Sequence, residues 1–285
     1  MGEIMGVTVL LTFIAMVAFA ANSLLARAAL GGGAMDAASF TAIRLVSGAV
    51  ALTMLVAWQS GRDRVRARPG NWVSAAALLV YALAFSLAYL RLGAATGALI
   101  LFAAVQGTMI LWGLLRRDRP TVPEGIGLAV AFAAFVWLLL PGLDTPDLAG
   151  SVLMMASGIA WGVYSLRGRG AGNPLDQTGG NFVRAAVLGC PLVLAPLFGG
   201  HATGGGVGLA MVSGVVTSGL GYAIWYRALP LLSTTQAATV QLTVPVIATV
   251  GGLALLGEAP SLRLVVAGSC ILGGVALAIL THRRR

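Results

Sequence analysis

Hydrophobic residues in this chain come in successive runs of about 20, separated by short polar or basic stretches. A run of that length with few charges crosses the hydrocarbon core of a bilayer as a helix. The first run is assigned to the protein rather than to a secretory signal, because its leader has Glu3 and neither Lys nor Arg. The pattern predicts ten spans, at residues 7–28, 38–58, 72–91, 94–115, 124–140, 150–166, 180–198, 207–229, 234–256 and 262–280.

The two halves of the chain share landmarks at a constant offset of 140 residues. In each half an Asp is followed eight residues later by an Arg inside an apolar run, and a Pro starts a late apolar run. These pairs are Asp36 and Asp176, Arg44 and Arg184, and Pro120 and Pro260. We therefore predict an all-α polytopic protein made of two five-helix repeats, residues 1–143 and 147–285, in one integral unit. Because five is odd, the second repeat is inverted, an arrangement typical of secondary transporters whose substrate site lies between the repeats.

Composition and charge favour a membrane location. Hydrophobic residues make up 58% of the chain and charged residues 9%, with a mean hydropathy of +0.92, whereas soluble domains carry about 25% charged residues. With ten spans, thirteen of the 18 basic residues, all Arg, fall on one side of the membrane. The positive-inside rule then places both termini on the cytoplasmic side of the membrane. We expect this membrane to be a bacterial-type inner membrane. This topology accounts for the net charge of +9 without nucleic-acid binding.

The chemistry within the spans excludes several classes of protein. All nine acidic residues fall in predicted loops or at span ends, and His201 and His282 lie in a loop and the tail. Enzymes and proton pumps usually place an acid, a base or a metal cluster within the membrane. The chain has no Lys, so it has no phosphate-binding loop for ATP. We expect no enzyme activity, cofactor or metal. We expect transport down a substrate gradient. Coupling to a counter-ion that binds a loop carboxylate remains an open alternative.

Neutral polar and aromatic residues inside the spans are the candidates for a substrate cavity. Buried amides need a partner in lipid, and aromatic side chains can form an amphipathic cage, although Trp and Tyr also anchor helices at the membrane interface. The candidates are Asn22, Tyr81, Phe85, Tyr89, Gln106, Trp161, Tyr164, Tyr222, Trp225, Gln241 and Thr243.

Three further residues stand out inside apolar runs. Arg44 and Arg184 could clamp a substrate carboxylate, but each lies about two turns from its span's start, which favours a structural, snorkelling role. Pro245 interrupts a predicted span and is a candidate kink or hinge beside the site.

Several segments resemble the ten-helix EamA type of the drug/metabolite transporter superfamily. They are Ser39–Arg44, Asn181–Arg184, Tyr226–Ala238, and Thr243–Val246 followed by Leu256–Glu258. The stretch Tyr89–Phe102 is similar to the YddG-type exporters of aromatic and other amino acids. The first repeat departs from this pattern, with Val105 at the position of Pro245 and Asp118 at that of Glu258.

The resemblance implies an exporter of neutral amino acids, aromatic ones among them, that works by alternating access. Export of another small metabolite or of a cationic drug by proton antiport is the alternative, and a membrane-embedded enzyme or sensor is a weaker one. The expected partners are a small-molecule substrate and the bilayer. The sequence leaves the oligomeric state open, and a monomer is compatible with it.

Overall fold

The computed structural model describes residues 2–60, 69–115, 121–142, 144–168, 173–232 and 240–282. Within these ranges the chain is helical and contains no β-strand, only an isolated bridge between Met35 and Ala202. In chain order the helices are α1 (Gly2–Gly31), α2 (Ala37–Ser60), α3 (Trp72–Tyr89), α4 (Ala94–Leu115), α5 (Val122–Leu139), α6 (Leu148–Gly168), α7 (Pro174–Leu188), α8 (Gly204–Leu231), α9 (Thr243–Leu256) and α10 (Leu262–His282).

Seven of the described helices, α1 to α6 and α8, are long and apolar enough to cross a membrane. Helix α7 continues after Gly189 as a 3₁₀ helix, Cys190–Phe198, and the two pieces meet at a bend of 40°, so that together they form either a broken eighth span or a re-entrant loop. Helix α9 and the apolar part of α10 are shorter. The protein is therefore an all-helical, multi-pass membrane protein. The ten spans and the inverted repeats remain predictions.

Helix α7 begins earlier than the predicted span at 180–198, because its start carries a capping signal. The side chain of Asn173 accepts a hydrogen bond of 3.0 Å from the N–H of Leu175, and Pro174 occupies the first helical position. Both are favoured at helix starts. As a result Asp176, which we placed outside the span, lies in the first turn of α7 and is buried.

Its counterpart in the other half, Asp36, directly precedes α2 and caps it. The N–H of Ser39 donates a hydrogen bond of 2.9 Å to Oδ1 of Asp36. Burial acts to raise the pKa of Asp36, but the hydrogen bonds from Ser39 and neighbouring backbone groups hold that pKa below its ordinary value. The carboxylate is therefore ionised at neutral pH and stabilises the start of α2.

The main helix contacts follow a two-fold pattern. Helix α1 packs against α8 and α9, and α6 packs against α3 and α4. Helix α2 packs against α7 and α8, while α7 packs against α2 and α3; α5 packs against α10. Exchanging each helix for the one five places along the chain converts each of these contacts into another of them.

Helices α2 and α8 approach closely at two glycines. A Cβ atom at Gly214 would overlap the carbonyl oxygen of Arg44 and Oγ of Ser47, and one at Gly48 would lie 2.9 Å from the carbonyl oxygen of Gly214. Small residues allow this approach between membrane helices. At the contact, α8 widens into a π-helical segment, Ser213–Leu220, a feature often found at functional sites.

Candidate functional site

A small cavity lies where α1, α3, α4, α6 and α8 meet. Its volume is about 20 Å³, which is room for a single water molecule. It is lined by Phe19, Asn22, Ser23, Tyr81, Phe85, Leu101, Phe102, Trp161 and Tyr222. The cavity is thus formed by residues from both halves of the chain, and its space is far smaller than an amino acid.

Arg44 lies at the centre of the polar groups beside this cavity, and only 1% of its surface is exposed. Its Nε donates a hydrogen bond of 3.0 Å to Oγ of Ser218, and its Nη2 donates to the hydroxyls of Tyr81 at 3.0 Å and Tyr222 at 3.5 Å. The guanidinium also lies 5.0 Å from the centre of the Phe85 ring. Nη1 is buried without a hydrogen-bond acceptor. Arg44 therefore holds in place two phenols that line the cavity, and its Nη1 group is a hydrogen-bond donor without an acceptor.

Asn22 organises the other side of the polar cluster. Its Oδ1 accepts hydrogen bonds from the hydroxyls of Ser213 at 2.7 Å and Thr217 at 3.1 Å, and its Nδ2 faces the Tyr81 hydroxyl at 3.4 Å. The π-helical segment of α8 supplies Ser213 and Thr217, together with the Ser218 that accepts from Arg44. Arg44 and Asn22 therefore meet at Tyr81, and the network connects α1, α2, α3 and α8.

Aromatic rings enclose the apolar part of the cavity. Trp161 lies 4.9 Å from Tyr81 and 4.8 Å from Tyr222, measured between ring centres. Phe19 packs edge-on against Trp161 and Tyr222, at 6.2 and 5.8 Å. Such offset and edge-on pairs stabilise a packed aromatic cluster.

The structure brings five of the predicted cavity residues to the cavity wall: Asn22, Tyr81, Phe85, Trp161 and Tyr222. Three others form a second layer. Tyr89 packs on Phe85 at 4.7 Å, Tyr164 stacks on Trp161 at 5.5 Å, and Trp225 packs on Phe19 at 5.9 Å. Contact with substrate remains a prediction for each of these residues.

The remaining candidates lie away from the cavity wall. Gln106 and Gln241 are buried but do not line the cavity, and Thr243 is exposed and bonds to the carbonyl of Val240. Pro245 lies in the first turn of α9, where a helix leaves N–H groups without partners, so it costs the helix no hydrogen bond there. Its hinge role remains a prediction.

The sequence-based predictions do not include Ser213, Thr217 and Ser218 among the site residues. The available signal was the cluster of small and hydroxyl residues from Ser213 to Gly219 inside an apolar run. Phe102 and Leu101 also line the cavity and carry no signal that separates them from packing residues.

Arg184 has quite different surroundings from its repeat partner Arg44. Its Nη1 donates hydrogen bonds to the carbonyl oxygens of Pro69 at 2.6 Å and Gly180 at 3.0 Å, and its guanidinium lies 5.7 Å from the centre of the Trp72 ring. It lines a separate groove of about 490 Å³ between α2, the start of α3 and α7.

An ion pair links three helices at one end of the helix bundle. Nε of Arg27 lies 2.5 Å from Oε1 of Glu258, and Oε2 of Glu258 accepts a hydrogen bond of 2.7 Å from the N–H of Ala94. Nη1 of Arg27 also donates to the carbonyl of Tyr89 at 3.2 Å. Glu258 thereby joins the end of α9 to α1 and to the start of α4, across the boundary of the predicted repeats.

We expect Glu258→Gln to lower the free energy of unfolding by about 1–2 kcal/mol, because it removes a charge-assisted hydrogen bond and a partly exposed ion pair. Denaturant unfolding in detergent measures this change. The matched control is Asp147→Asn, which removes the exposed Arg91–Asp147 pair of 3.6 Å while keeping a side chain that can cap α6. Equal effects of the two substitutions would contradict a special role for Glu258.

No group of His, Cys, Asp and Glu within the described ranges could hold a metal ion. The site offers a buried guanidinium, hydroxyls, an amide and aromatic faces. These groups can bind an organic anion with an aromatic or apolar body, and they lack the acid–base pairs of a hydrolytic site.

Comparisons with known proteins bear on the whole chain. Residues 148–280 match the EamA-like transporter family. The chain is 50% identical over 279 residues to an uncharacterized protein of Pseudomonas aeruginosa, an alignment covering 95% of this chain and 94% of that protein. Two uncharacterized transporters of Archaeoglobus fulgidus are 25% and 23% identical, covering 80% and 70% of this chain and 83% and 73% of theirs.

A crystal structure of another protein shares the fold. It matches with a TM-score of 0.68 at 20% identity, over 97% of this chain and 99% of that one. The similarity therefore extends across both halves of the molecule.

Proposed function

We propose that this chain, whose residues 148–280 match the EamA-like transporter family, is a secondary transporter that exports neutral amino acids, aromatic ones among them, across a bacterial inner membrane. The observation that carries the proposal is Arg44. Among the described residues, no carboxylate lies within ion-pair distance of this fully buried guanidinium. A buried charge without a counter-ion is costly, and in membranes it commonly marks a ligand site.

A substrate carboxylate supplies the missing charge. Nη1 of Arg44 is buried without an acceptor, and the Tyr81 and Tyr222 hydroxyls bonded to Nη2 line the cavity. Guanidinium–carboxylate pairs are strong and directional. In this proposal the ammonium group binds at Asn22, while Trp161 and Phe19 contact the side chain of the amino acid.

The same groups argue against the alternative of a cationic drug in this cavity. Arg44 would repel a cation at close range in surroundings of low dielectric constant. A neutral zwitterion avoids that repulsion and satisfies both ends of the cluster.

The small volume of the cavity and the packing pattern support alternating access. A cavity of about 20 Å³ must widen before an amino acid enters it. The two-fold pattern of helix contacts supports ten spans in two inverted five-helix repeats, which can exchange conformations to open one site to each side in turn. The Arg27–Glu258 pair closes one of these sides. In this proposal both termini lie in the cytoplasm, and the substrate moves from that side of the membrane to the outside.

Transport assays in proteoliposomes test the proposal. We would measure uptake of labelled phenylalanine and threonine, with and without a pH gradient. Phenethylamine, which lacks the carboxylate, and 3-phenylpropionate, which lacks the amine, are the matched probes. We expect saturable phenylalanine flux without a gradient and little phenethylamine flux. Absence of amino-acid flux, or equal flux of phenethylamine, would rule the proposal out.

A further inference from the structure

The groove beside Arg184 is separate from the central cavity. It lies on the outer face of α7, formed by Asp176, Gly180 and Val187, whereas the inner face carries Phe182, whose ring packs 5.7 Å from Tyr222. Its volume of about 490 Å³ falls in the range of ligand pockets.

The carboxylate of Asp176 is the polar group that indicates a ligand site in this groove. It lines the groove, is 3% exposed, and neither of its carboxylate oxygens has a hydrogen-bond partner. A carboxylate buried in this way is unfavourable unless a cation or a hydrogen-bond donor meets it. The groove therefore fits a ligand with a positively charged group at this point.

A positive charge lies one turn farther along α7. The Arg184 guanidinium is held at the carbonyl of Gly180 by a hydrogen bond of 3.0 Å, and Gly180 is four residues from Asp176. Four residues of α-helix correspond to about 6 Å along the axis. A matching ligand thus carries a cation and an anion separated by a few ångströms, whose charges complement those of Asp176 and Arg184.

The rest of the groove wall is apolar and turned outward. Val183 is 42% exposed, Val187 58% and Trp72 55%, and in a membrane-spanning chain such surfaces face lipid. Trp72 lies at the start of α3, where an indole ring suits the headgroup level of the bilayer. A bare ion would leave these walls unfilled, whereas a lipid extends an acyl chain along them.

We propose that this groove is a binding site for phosphatidylethanolamine, with its ammonium group on Asp176 and its phosphate beside Arg184. The primary ammonium donates hydrogen bonds to the carboxylate, which the quaternary ammonium of phosphatidylcholine does not. The acyl chains follow Val183 and Val187. This site does not depend on the identity of the transported substrate.

Lipid binding measured by native mass spectrometry of the full-length protein tests the proposal. The probes are phosphatidylethanolamine, phosphatidylcholine and phosphatidylglycerol of identical acyl chains. We expect about a tenfold preference for phosphatidylethanolamine over phosphatidylcholine in the unaltered protein, since hydrogen bonds to a charged group are strong. Asp176→Asn is expected to remove this preference and leave phosphatidylglycerol binding unchanged. Arg184→Gln is expected to weaken all three lipids.

Asp144→Asn is the matched control, because it makes the same chemical change at an exposed residue outside the groove. Size-exclusion chromatography of each variant establishes that it is folded, and Asp176→Glu, which keeps the charge, is expected to keep part of the preference. Equal binding of phosphatidylethanolamine and phosphatidylcholine by the unaltered protein would overturn the proposal. So would displacement of the lipid by phenylalanine, which would make the groove a substrate site.

Discussion

Replacing Arg44 by Gln is expected to reduce kcat/KM for amino-acid transport by about 100-fold, because the substrate carboxylate and two phenols lose a charged donor. Arg44→Lys keeps the charge but cannot hold the hydroxyls of Ser218, Tyr81 and Tyr222 with one planar group. It should therefore lose activity as well, though less than Arg44→Gln. Initial rates of phenylalanine uptake into proteoliposomes measure both changes.

Arg91→Gln is the matched control for this experiment. Arg91 is exposed, and its pair with Asp147 is the kind of surface contact that contributes 0–1 kcal/mol. Its kcat/KM should stay within about twofold of the unaltered protein. Near-normal transport by a folded Arg44→Gln protein would show that Arg44 is structural, the role that the sequence alone favoured.

The second large effect is expected at Gly214. A methyl group there would overlap the carbonyl oxygen of Arg44 and the hydroxyl of Ser47, so Gly214→Ala must separate α2 from α8. Overpacking of this kind costs about 1–3 kcal/mol. It also displaces Ser218 from Arg44. We expect a clear fall in the melting temperature in detergent and loss of transport.

Gly208→Ala provides the control within the same helix. No atom lies within 4 Å of a Cβ built at Gly208, so the added methyl group has open space. Alanine also favours a helix over glycine by about 1 kcal/mol. The melting temperature of Gly208→Ala should be unchanged or higher. A similar loss for both variants would contradict the close contact at Gly214.

Helical periodicity was enough to predict part of the cavity wall. Tyr81 and Phe85 are four residues apart on α3 and line the same cavity, as their spacing implied. Asn22 and Trp161 were recognisable because a polar or amphipathic side chain inside a span needs a partner. These inferences used only local geometry, which a regular helix fixes.

The remainder depends on contacts between distant segments. In a regular helix Ser213 and Thr217 share a face, but Ser218 turns away from it; the wider π-helical turn brings all three to the polar cluster. Arg44 and Arg184 are equivalent in sequence, yet one bonds to phenols at the centre and the other to the carbonyl of Pro69 in a groove on the outer face of α7. No local sequence pattern distinguishes these two environments, because each is determined by the helices that pack beside the arginine.

The burial of Arg44 has a consequence for how the protein is made. The hydroxyl of Tyr81 follows Arg44 by only 37 residues, but Ser218 and Tyr222 follow it by 174 and 178. At about 5–20 residues per second, a ribosome takes roughly 10–35 s to synthesise that intervening stretch. During this interval α2 carries into the bilayer an arginine in its second turn, where the insertion cost is below the value of about 2.5–3.5 kcal/mol for the centre of a helix. Packing of α3 beside α2 therefore supplies Arg44 with its first partner, and α8 later completes the surroundings of this arginine.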